Sequence, residues 1–162
     1  MEPKLKYLET RLSYDPEQLR NFIVNNAVIF GPGIENIERN LKYFETRLGY
    51  SPEQALALLV DQTSLLASDI DNNIEPTIKF FESLLGPEDG LSLICSSPSI
   101  LGGSLSKRFI PRRERMIDSG FSFTKKTASH MRFLTNDNFD GWMDDREKGI
   151  PSKYDKVKAV TK

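Results

Sequence analysis

The chain repeats itself, and this repeat constrains its fold more than any other feature of the sequence. Residues 5–18 align with residues 41–54 at a spacing of 36, and eleven of the fourteen paired positions are identical. A third copy follows 37 residues later, where residues 74–86 match residues 37–49 at seven of thirteen positions. A looser fourth copy begins near Ser104. Periods of this size indicate an array of small stacked supersecondary units.

Each repeat is predicted to contain two α-helices and a short third element. Apolar residues recur at three- and four-residue steps through residues 37–48, which is typical of a helix with one buried face, and Gly49 follows where that helix should end. The motifs Asp15-Pro16-Glu17-Gln18 and Ser51-Pro52-Glu53-Gln54 predict a capped second helix with proline in its first turn. We expect 3₁₀ turns at the short apolar pieces that follow the second helices, residues 28–30, 65–67 and 100–101.

These elements predict an all-α fold, namely a right- or left-handed α-solenoid of helix–helix–3₁₀ repeats with a period of about 36 residues. The array should cover residues 1–143, and a polar C-terminal tail should follow at 144–162. Trp142, Phe139 and Met143 are expected to form an apolar cap over its end. The predicted repeats span approximately residues 1–36, 37–73, 74–103 and 104–143.

The net charge of −1 conceals an uneven distribution along the chain. Residues 1–100 carry 8 Lys and Arg against 15 Asp and Glu, whereas residues 101–162 carry 14 against 8. Most of the basic excess lies between residues 107 and 132, where eight basic residues meet only Glu114 and Asp118. This balance argues against indiscriminate binding of polyanions but permits one local anion-binding face.

Two segments of the last repeat resemble the mitochondrial transcription termination factor (mTERF) family. The run Ser104-Leu105-Ser106-Lys107-Arg108-Phe109-Ile110-Pro111-Arg112 resembles the family's Ser-Leu pair, basic residues and proline one turn later. Residues 131–135, followed by Asn138-Phe139, resemble the closing segment of plant and algal members. The resemblance covers roughly residues 1–143. It implies a curved α-solenoid whose basic concave side holds double-stranded DNA or structured RNA in mitochondria or chloroplasts.

The basic block is the candidate binding site. On a regular helix Arg108, Arg112 and Arg115 would project from one face within about 60° of each other. Lys125 and Lys126 begin the following helix, where backbone N–H groups also favour phosphate. The alternatives are that a basic terminal repeat docks on the acidic repeats of a neighbour or a partner protein, or that it is simply a solvated face. The proposed phosphate contacts are Lys107, Arg108, Arg112, Arg115, Lys125, Lys126 and Arg132.

Arg113 is the one residue of this block that conflicts with the repeat, because it occupies the place of the apolar Ile78. Two interpretations remain open. Either the register slips around Pro111, or the charge faces the core and needs a partner such as Glu114 or Asp118.

The single cysteine, Cys95, excludes an internal disulfide and a cysteine zinc cage, and the single histidine, His130, excludes a His-rich metal site. Cys95 and His130 lie one repeat apart, but no third residue that would orient them for catalysis is identifiable. The sequence therefore predicts no enzyme, no cofactor and no metal.

Two functions are compatible with these observations. The first is a non-catalytic nucleic-acid-binding protein of organellar gene expression, acting in transcription termination or regulation, or in RNA or ribosome processing. The second is a structural subunit that uses the same solenoid to dock within a large organellar complex. No targeting pattern is visible at residues 1–4, and the chain starts in the same repeat phase as residues 74–76. We therefore expect a longer precursor whose leader is absent from this chain, directed to the mitochondrion or, alternatively, the chloroplast.

Overall fold

The computed structural model describes residues 2–156, and within them it contains nine α-helices and no β-strand, which confirms the all-α fold. No helix among the described residues is both long and apolar enough to cross a membrane. The helices are α1 (Glu2–Leu12), α2 (Pro16–Asn25), α3 (Ile34–Leu48), α4 (Pro52–Asp61), α5 (Glu75–Leu85), α6 (Pro87–Ser96), α7 (Ile110–Asp118), α8 (Lys125–Phe133) and α9 (Asn136–Glu147).

Short helical turns separate the pairs of α-helices. Three of them are the 3₁₀ turns predicted from the sequence, and they follow α2, α4 and α6 at Ala27–Phe30, Thr63–Ala67 and Pro98–Gly102. Two π-helical turns, Ile70–Ile74 and Leu105–Phe109, lead directly into α5 and α7. A last 3₁₀ turn lies at Lys153–Lys156.

The helix ends form where the local sequence predicts them. Asp15 accepts a hydrogen bond from the backbone N–H of Gln18, and the Gln18 side chain returns one to the backbone N–H of Asp15. Ser51 and Gln54 make the same capping box at the start of α4. Gly49 ends α3 with a φ of 68°, which glycine adopts more easily than residues with a side chain.

The chain divides into two compact units, Met1–Ile70 and Asp71–Lys162. In the first unit, the apolar faces of α3 and α4 supply most of the buried side chains, including Ile37, Leu41, Phe44, Leu56 and Leu59. In the second unit, the buried side chains come from α5 to α9 and the turns between them, and they include Ile78, Phe81, Phe109, Met131 and Trp142.

Ion pairs and hydrogen bonds join α1 to α3 inside the first unit. Arg11 Nε lies 3.1 Å from a Glu38 carboxylate oxygen, and a second nitrogen of Arg11 pairs with Glu45. The hydroxyl of Tyr7 donates to Glu38. Burial and this hydrogen bond raise the pKa of Tyr7, so the phenol stays protonated and remains a donor.

The end of the second unit differs from the predicted polar tail. The helix α9 continues past residue 143 to Glu147, and Lys153–Lys156 forms a further helical turn, so part of residues 144–162 is ordered structure. Residues 157–162 lie outside the described part of the chain. Phe139, Trp142 and Met143 are buried, as the sequence pattern predicts for a terminal apolar cap.

The position of Arg113 answers the question that the sequence left open. The π-helical turn before α7 has a counterpart before α5, so the register of the two repeats agrees and Arg113 does occupy the place of Ile78. Its guanidinium carbon lies 5.2 Å from the ring centroid of Phe80. An aromatic face therefore supports this half-buried charge, rather than the expected Glu114 or Asp118.

Candidate nucleic-acid interface

The candidate site is built on α7, α8 and the π-helical turn Leu105–Phe109. Ser104 caps this turn by accepting from the backbone N–H of Lys107, and the N–H of Phe109 reaches back five residues to the Ser104 carbonyl at 3.2 Å. The wider turn rotates Arg108 relative to a regular helix. Within the described residues Arg112 is buried and Arg115 is paired with carboxylates of α9, so these two do not join Arg108 in one accessible cationic face.

Arg112 is a buried residue, with 5% of its surface exposed. Its Nη1 donates to the carbonyl oxygens of Met131 at 2.6 Å and Leu134 at 2.9 Å, which belong to the C-terminal end of α8. Its Nη2 donates to Asn136 Oδ1 at 2.9 Å, and its guanidinium lies 4.5 Å from the ring centroid of Phe139. Arg112 thus ties α7 to the end of α8 and the start of α9 and has no exposed group to offer a phosphate.

Arg132 is half-buried and likewise bonds to the backbone, donating from Nε to the carbonyl oxygen of Ser99 at 3.0 Å. Burial, and after it the positive charge of Arg108, lowers the pKa of Arg132. Burial and the charge of Arg108 also lower the pKa of Arg112, to about 10. The charge of Arg132 lowers this pKa further, and the carboxylate of Asp140 opposes the shift. Three guanidinium groups therefore lie close enough to repel one another, which creates a region of positive potential around Arg108.

Two further members of the predicted set are neutralised by carboxylates. Arg115 pairs with α9 through Asp140 at 2.5 Å, Asp144 at 2.7 Å and Glu147 at 3.7 Å. Lys125 pairs with Asp89 on α6 at 3.0 Å and also donates to Ser92. These cations fasten α7 to α9 and α8 to α6.

Lys107, Arg108 and Lys126 remain as the accessible cations of the site. Lys107 and Lys126 are exposed and Arg108 is half-buried. None of the three forms an ion pair with a carboxylate within residues 2–156. The structure thus divides the seven predicted residues into accessible cations, cations held by backbone carbonyls, and cations paired with acids.

Comparison with protein families identifies the family of the chain. The family model mTERF matches residues 1–140. The chain belongs to the mTERF family. Membership agrees with the helical repeats of the structure and indicates a nucleic-acid-binding role in organellar gene expression. No curated protein and no solved structure matches the chain.

The start of α8 departs from the other mTERF repeats of this chain in one respect. The second helices of the first three repeats each carry an acid at their second position, namely Glu17, Glu53 and Glu88. The equivalent residue of α8 is Lys126. Acids at a helix N-terminus are favoured by the helix dipole and lysines are not, so local stability does not explain this reversal. Comparing the starts of the second helices in the sequence would have revealed it.

Sequence reasoning also missed the acceptors that bury Arg112. They are main-chain carbonyls of Met131 and Leu134, and a backbone carbonyl gives no signal in the residue type. Both ring nitrogens of His130 likewise face backbone carbonyls, those of Lys126 and Tyr154. No group of three His, Cys, Asp or Glu side chains in the described structure is placed to hold a metal ion.

Proposed function

We propose that this mTERF protein is a non-catalytic nucleic-acid-binding protein of organellar gene expression, and that its last repeat contacts the phosphate backbone. The nucleic acid is double-stranded DNA or structured RNA. The organelle is the mitochondrion, with the chloroplast as the alternative. Binding would serve transcription termination or regulation, or the processing of RNA or ribosomes.

The observation that carries this proposal is the reversed charge at the start of α8. Lys126 stands where three equivalent helices have glutamate, in the first turn of α8, where the helix dipole favours a negative charge. A lysine there is unfavourable for the isolated helix but favourable once a phosphate occupies the site. Lys126 lies exposed, as a phosphate contact requires.

The division of the basic residues gives each of them a role. Lys107, Arg108 and Lys126 contact phosphates, because they are accessible and unpaired with acids. Arg112 and Arg132 position the helices, and their charges raise the local potential at Arg108. Arg115 and Lys125 contribute to binding only indirectly, since carboxylates already hold them.

The test measures binding of a 25-bp DNA duplex, and separately of an RNA hairpin, by fluorescence anisotropy between 50 and 200 mM KCl. With three duplex phosphates contacted, the logarithm of the association constant should fall against the logarithm of salt with a slope of about −2.7. Arg108→Ala and Lys126→Ala should each reduce the steepness of that slope by about 0.9.

The matched control is Arg20→Ala, because Arg20 is an exposed arginine on α2, outside the second unit. It removes the same charge as Arg108→Ala and should leave the slope unchanged. A salt-independent affinity, or equal effects of Arg20→Ala and Arg108→Ala, would contradict the proposal.

A second candidate function, a docking subunit of an organellar complex, is favoured by a different observation. Val24 on α2 is 75% exposed and Val28 in the next turn is also exposed, both in the acidic part of the chain. Exposed apolar side chains mark a protein contact when they form a continuous patch, which this second function would require of Val24 and Val28. Val24→Asp should then abolish the co-purification of other subunits with this protein from nuclease-treated organelle extract. The affinity for the DNA duplex should not change.

A further inference from the structure

Glu2, Leu5 and Glu9 lie on one face of α1, because they are spaced by three and four residues. Glu2 and Glu9 are exposed. Within residues 2–156, neither carboxylate forms an ion pair or a side-chain hydrogen bond. Leu5 lies between them and is half-buried. This face of α1 therefore offers two hydrogen-bond acceptors on either side of an incompletely covered apolar side chain.

The second repeat shows what an equivalent face binds. Thirty-six residues later, the same positions on α3 are Glu38, Leu41 and Glu45. Arg11 of α1 pairs with both carboxylates, and its Nε lies 3.1 Å from Glu38. The Tyr7 hydroxyl, one turn earlier on α1, also donates to Glu38. A tyrosine and an arginine four residues later on one helix are thus the partners that these two acids bind.

The apolar position between the acids is the second observation that marks the face of α1 as incomplete. Its counterparts in the second and third repeats, Leu41 and Ile78, are both 0% exposed. Leu5 keeps the apolar character of this position but remains half-buried. Burying the rest of this side chain would be favourable, so the face of α1 has both polar and apolar groups left to satisfy.

Tyrosine, arginine and the two acids vary together along the four repeats. The first, second and third repeats have at the two donor positions Tyr7 and Arg11, Tyr43 and Arg47, and Phe80 and Leu84. The repeats that follow them have at the two acid positions Glu38 and Glu45, Glu75 and Glu82, and Ile110 and Ile117. Acids are therefore present where the preceding repeat has the donors and absent where it does not. Because the first repeat has Glu2 and Glu9, this pattern predicts a donor helix for them as well.

We propose that this face of α1 docks a helix of a partner protein, which presents a tyrosine and, four residues later, an arginine. The arginine bridges Glu2 and Glu9, the tyrosine donates to Glu2, and an apolar side chain of the partner covers Leu5. One guanidinium can serve both carboxylates, because it carries five N–H donors. The proposal does not depend on nucleic-acid binding by the last repeat.

The charge and the internal contacts of the chain favour a separate partner over a second copy. Residues 1–100 carry 8 Lys and Arg against 15 Asp and Glu, so they attract a basic helix. The two Tyr-x-x-x-Arg helices of this chain are already engaged. Tyr7 and Arg11 bind α3, and Tyr43 and Arg47 have interaction partners of their own. A second copy could therefore offer such a helix only by giving up contacts of its own fold.

The test measures binding of a helical peptide to the full chain by fluorescence anisotropy at 50 mM NaCl. The probe is a fluorescein-labelled copy of Glu2–Leu12, held helical by a hydrocarbon staple at positions 6 and 10, which are exposed in the structure. Saturable binding is expected. In the peptide, Arg11→citrulline keeps the shape but removes the charge and should weaken binding about tenfold, whereas Tyr7→Phe should weaken it about fivefold.

These peptide changes leave the protein unaltered, so the outcome does not depend on how a variant folds. Absence of saturable binding would overturn the proposal. So would equal affinity of the arginine and citrulline peptides.

Variants of the protein locate the bound peptide on α1. Glu9→Gln should weaken binding about tenfold. Glu53→Gln is the matched control, because it removes the same charge from an exposed residue of α4 in the same unit, and it should leave the affinity unchanged. In the double variant Glu2→Gln and Glu9→Gln, the arginine and citrulline peptides should bind equally, since the acids that distinguish them are gone. A tenfold preference for arginine that persists in the double variant would refute docking at this face.

Sedimentation velocity of the chain without peptide tests the identity of the partner. A single species with the mass of one chain, at micromolar concentration, is expected. A dimer that Glu9→Gln dissociates would overturn the proposal of a separate partner, because the occupant of the face would then be a second copy.

Discussion

Equivalent positions in successive repeats hold three different buried polar residues, and their donors are bonded in two different ways. Asn40 in the second repeat donates to the Asn36 carbonyl oxygen within α3, and Thr77 in the third donates to that of Asn73 in the π-helical turn before α5, each at 2.8 Å. Arg112 occupies this position in the fourth repeat and reaches the end of α8. The donors of the early repeats thus bond locally, although Asn40 Oδ1 is buried without a hydrogen-bond partner in the described structure, and the last repeat uses the position to join separate helices.

This difference explains why a basic stretch of sequence need not produce a basic surface. Residues 107–132 carry eight basic side chains, yet backbone carbonyls hold Arg112 and Arg132 and carboxylates hold Arg115 and Lys125. Charge counted along a sequence overestimates the charge available to a ligand, because carbonyl and carboxylate oxygens of the protein can already accept from the N–H groups of an arginine.

The largest expected effect comes from placing the third repeat's residue in the fourth, as Arg112→Thr. The Met131 and Leu134 carbonyls would lose a buried donor, and the aliphatic stem would leave a cavity, so unfolding free energy should fall by about 3 kcal/mol. Urea denaturation followed by Trp142 fluorescence reports this loss in the second unit. Thr77→Ala, which removes only one intrahelical bond, should cost about 1 kcal/mol. Equal losses would show that the two repeats do not differ here.

The same contrast separates what the sequence predicts from what it does not. The capping boxes of Asp15 and Ser51, the glycine stop at Gly49 and the three 3₁₀ turns depend on residues a few positions apart, so local pattern was sufficient. The burial of Arg112 depends on carbonyls 19 and 22 residues away. The prediction of a common face for Arg108, Arg112 and Arg115 assumed a regular helix. Arg108 instead lies in the π-helical turn that precedes α7.

The second comparison concerns how closely the paired helices approach one another. The fourth position of the second helix is Leu19, Ala55, Gly90 and Ala128 in successive repeats. A Cβ at Gly90 would lie 2.6 Å from the backbone nitrogen and Cα of Glu82 on α5. Because backbone atoms cannot turn aside, Gly90→Ala should cost about 2 kcal/mol, measured by thermal or urea unfolding.

Gly31→Ala is the control for Gly90→Ala. Among the described residues, its Cβ would meet only the Val28 carbonyl oxygen, at an ordinary 3.5 Å. The change should alter stability by less than about 0.5 kcal/mol. If Gly90→Ala were as mild as Gly31→Ala, the close approach of α5 and α6 would not be required by the fold.

The third comparison is between two arginines that join separate helices, Arg11 between α1 and α3 and Arg115 between α7 and α9. The carboxylates that bind Arg11 have side chains 23% exposed, whereas those that bind Arg115 are 62%, 53% and 44% exposed. Because water screens exposed pairs, Arg11→Ala should cost about 1.5 kcal/mol and Arg115→Ala about 0.5 kcal/mol. Urea denaturation at 50 mM and 500 mM NaCl should show the greater salt sensitivity for the Arg115 pairs.

Acid should affect the Arg11 bridge in a defined direction. Burial raises the pKa of Glu38, but the hydrogen bonds from Tyr7 and Arg11 outweigh it and the net pKa is lowered. A carboxyl with a lowered folded pKa stabilises the protein above its unfolded pKa, and this contribution disappears as the pH falls through the folded value. Glu38→Gln should therefore flatten the acid limb of stability, below about pH 4.5. An unaltered limb would show that Glu38 is not a source of it.

The smallest expected effect on stability tests the charge reversal directly. Lys126→Glu restores to α8 the acid that Glu53 supplies to α4, so the helix dipole should increase unfolding free energy by about 0.5 kcal/mol. The same change should weaken duplex binding, because it replaces a phosphate contact with a negative charge. Glu53→Lys makes the opposite exchange in the first unit and should lower stability without improving binding. If the Lys126→Glu protein were more stable and bound the duplex as well as before, neither folding nor binding would favour the lysine. Lys126 would then not be a phosphate contact.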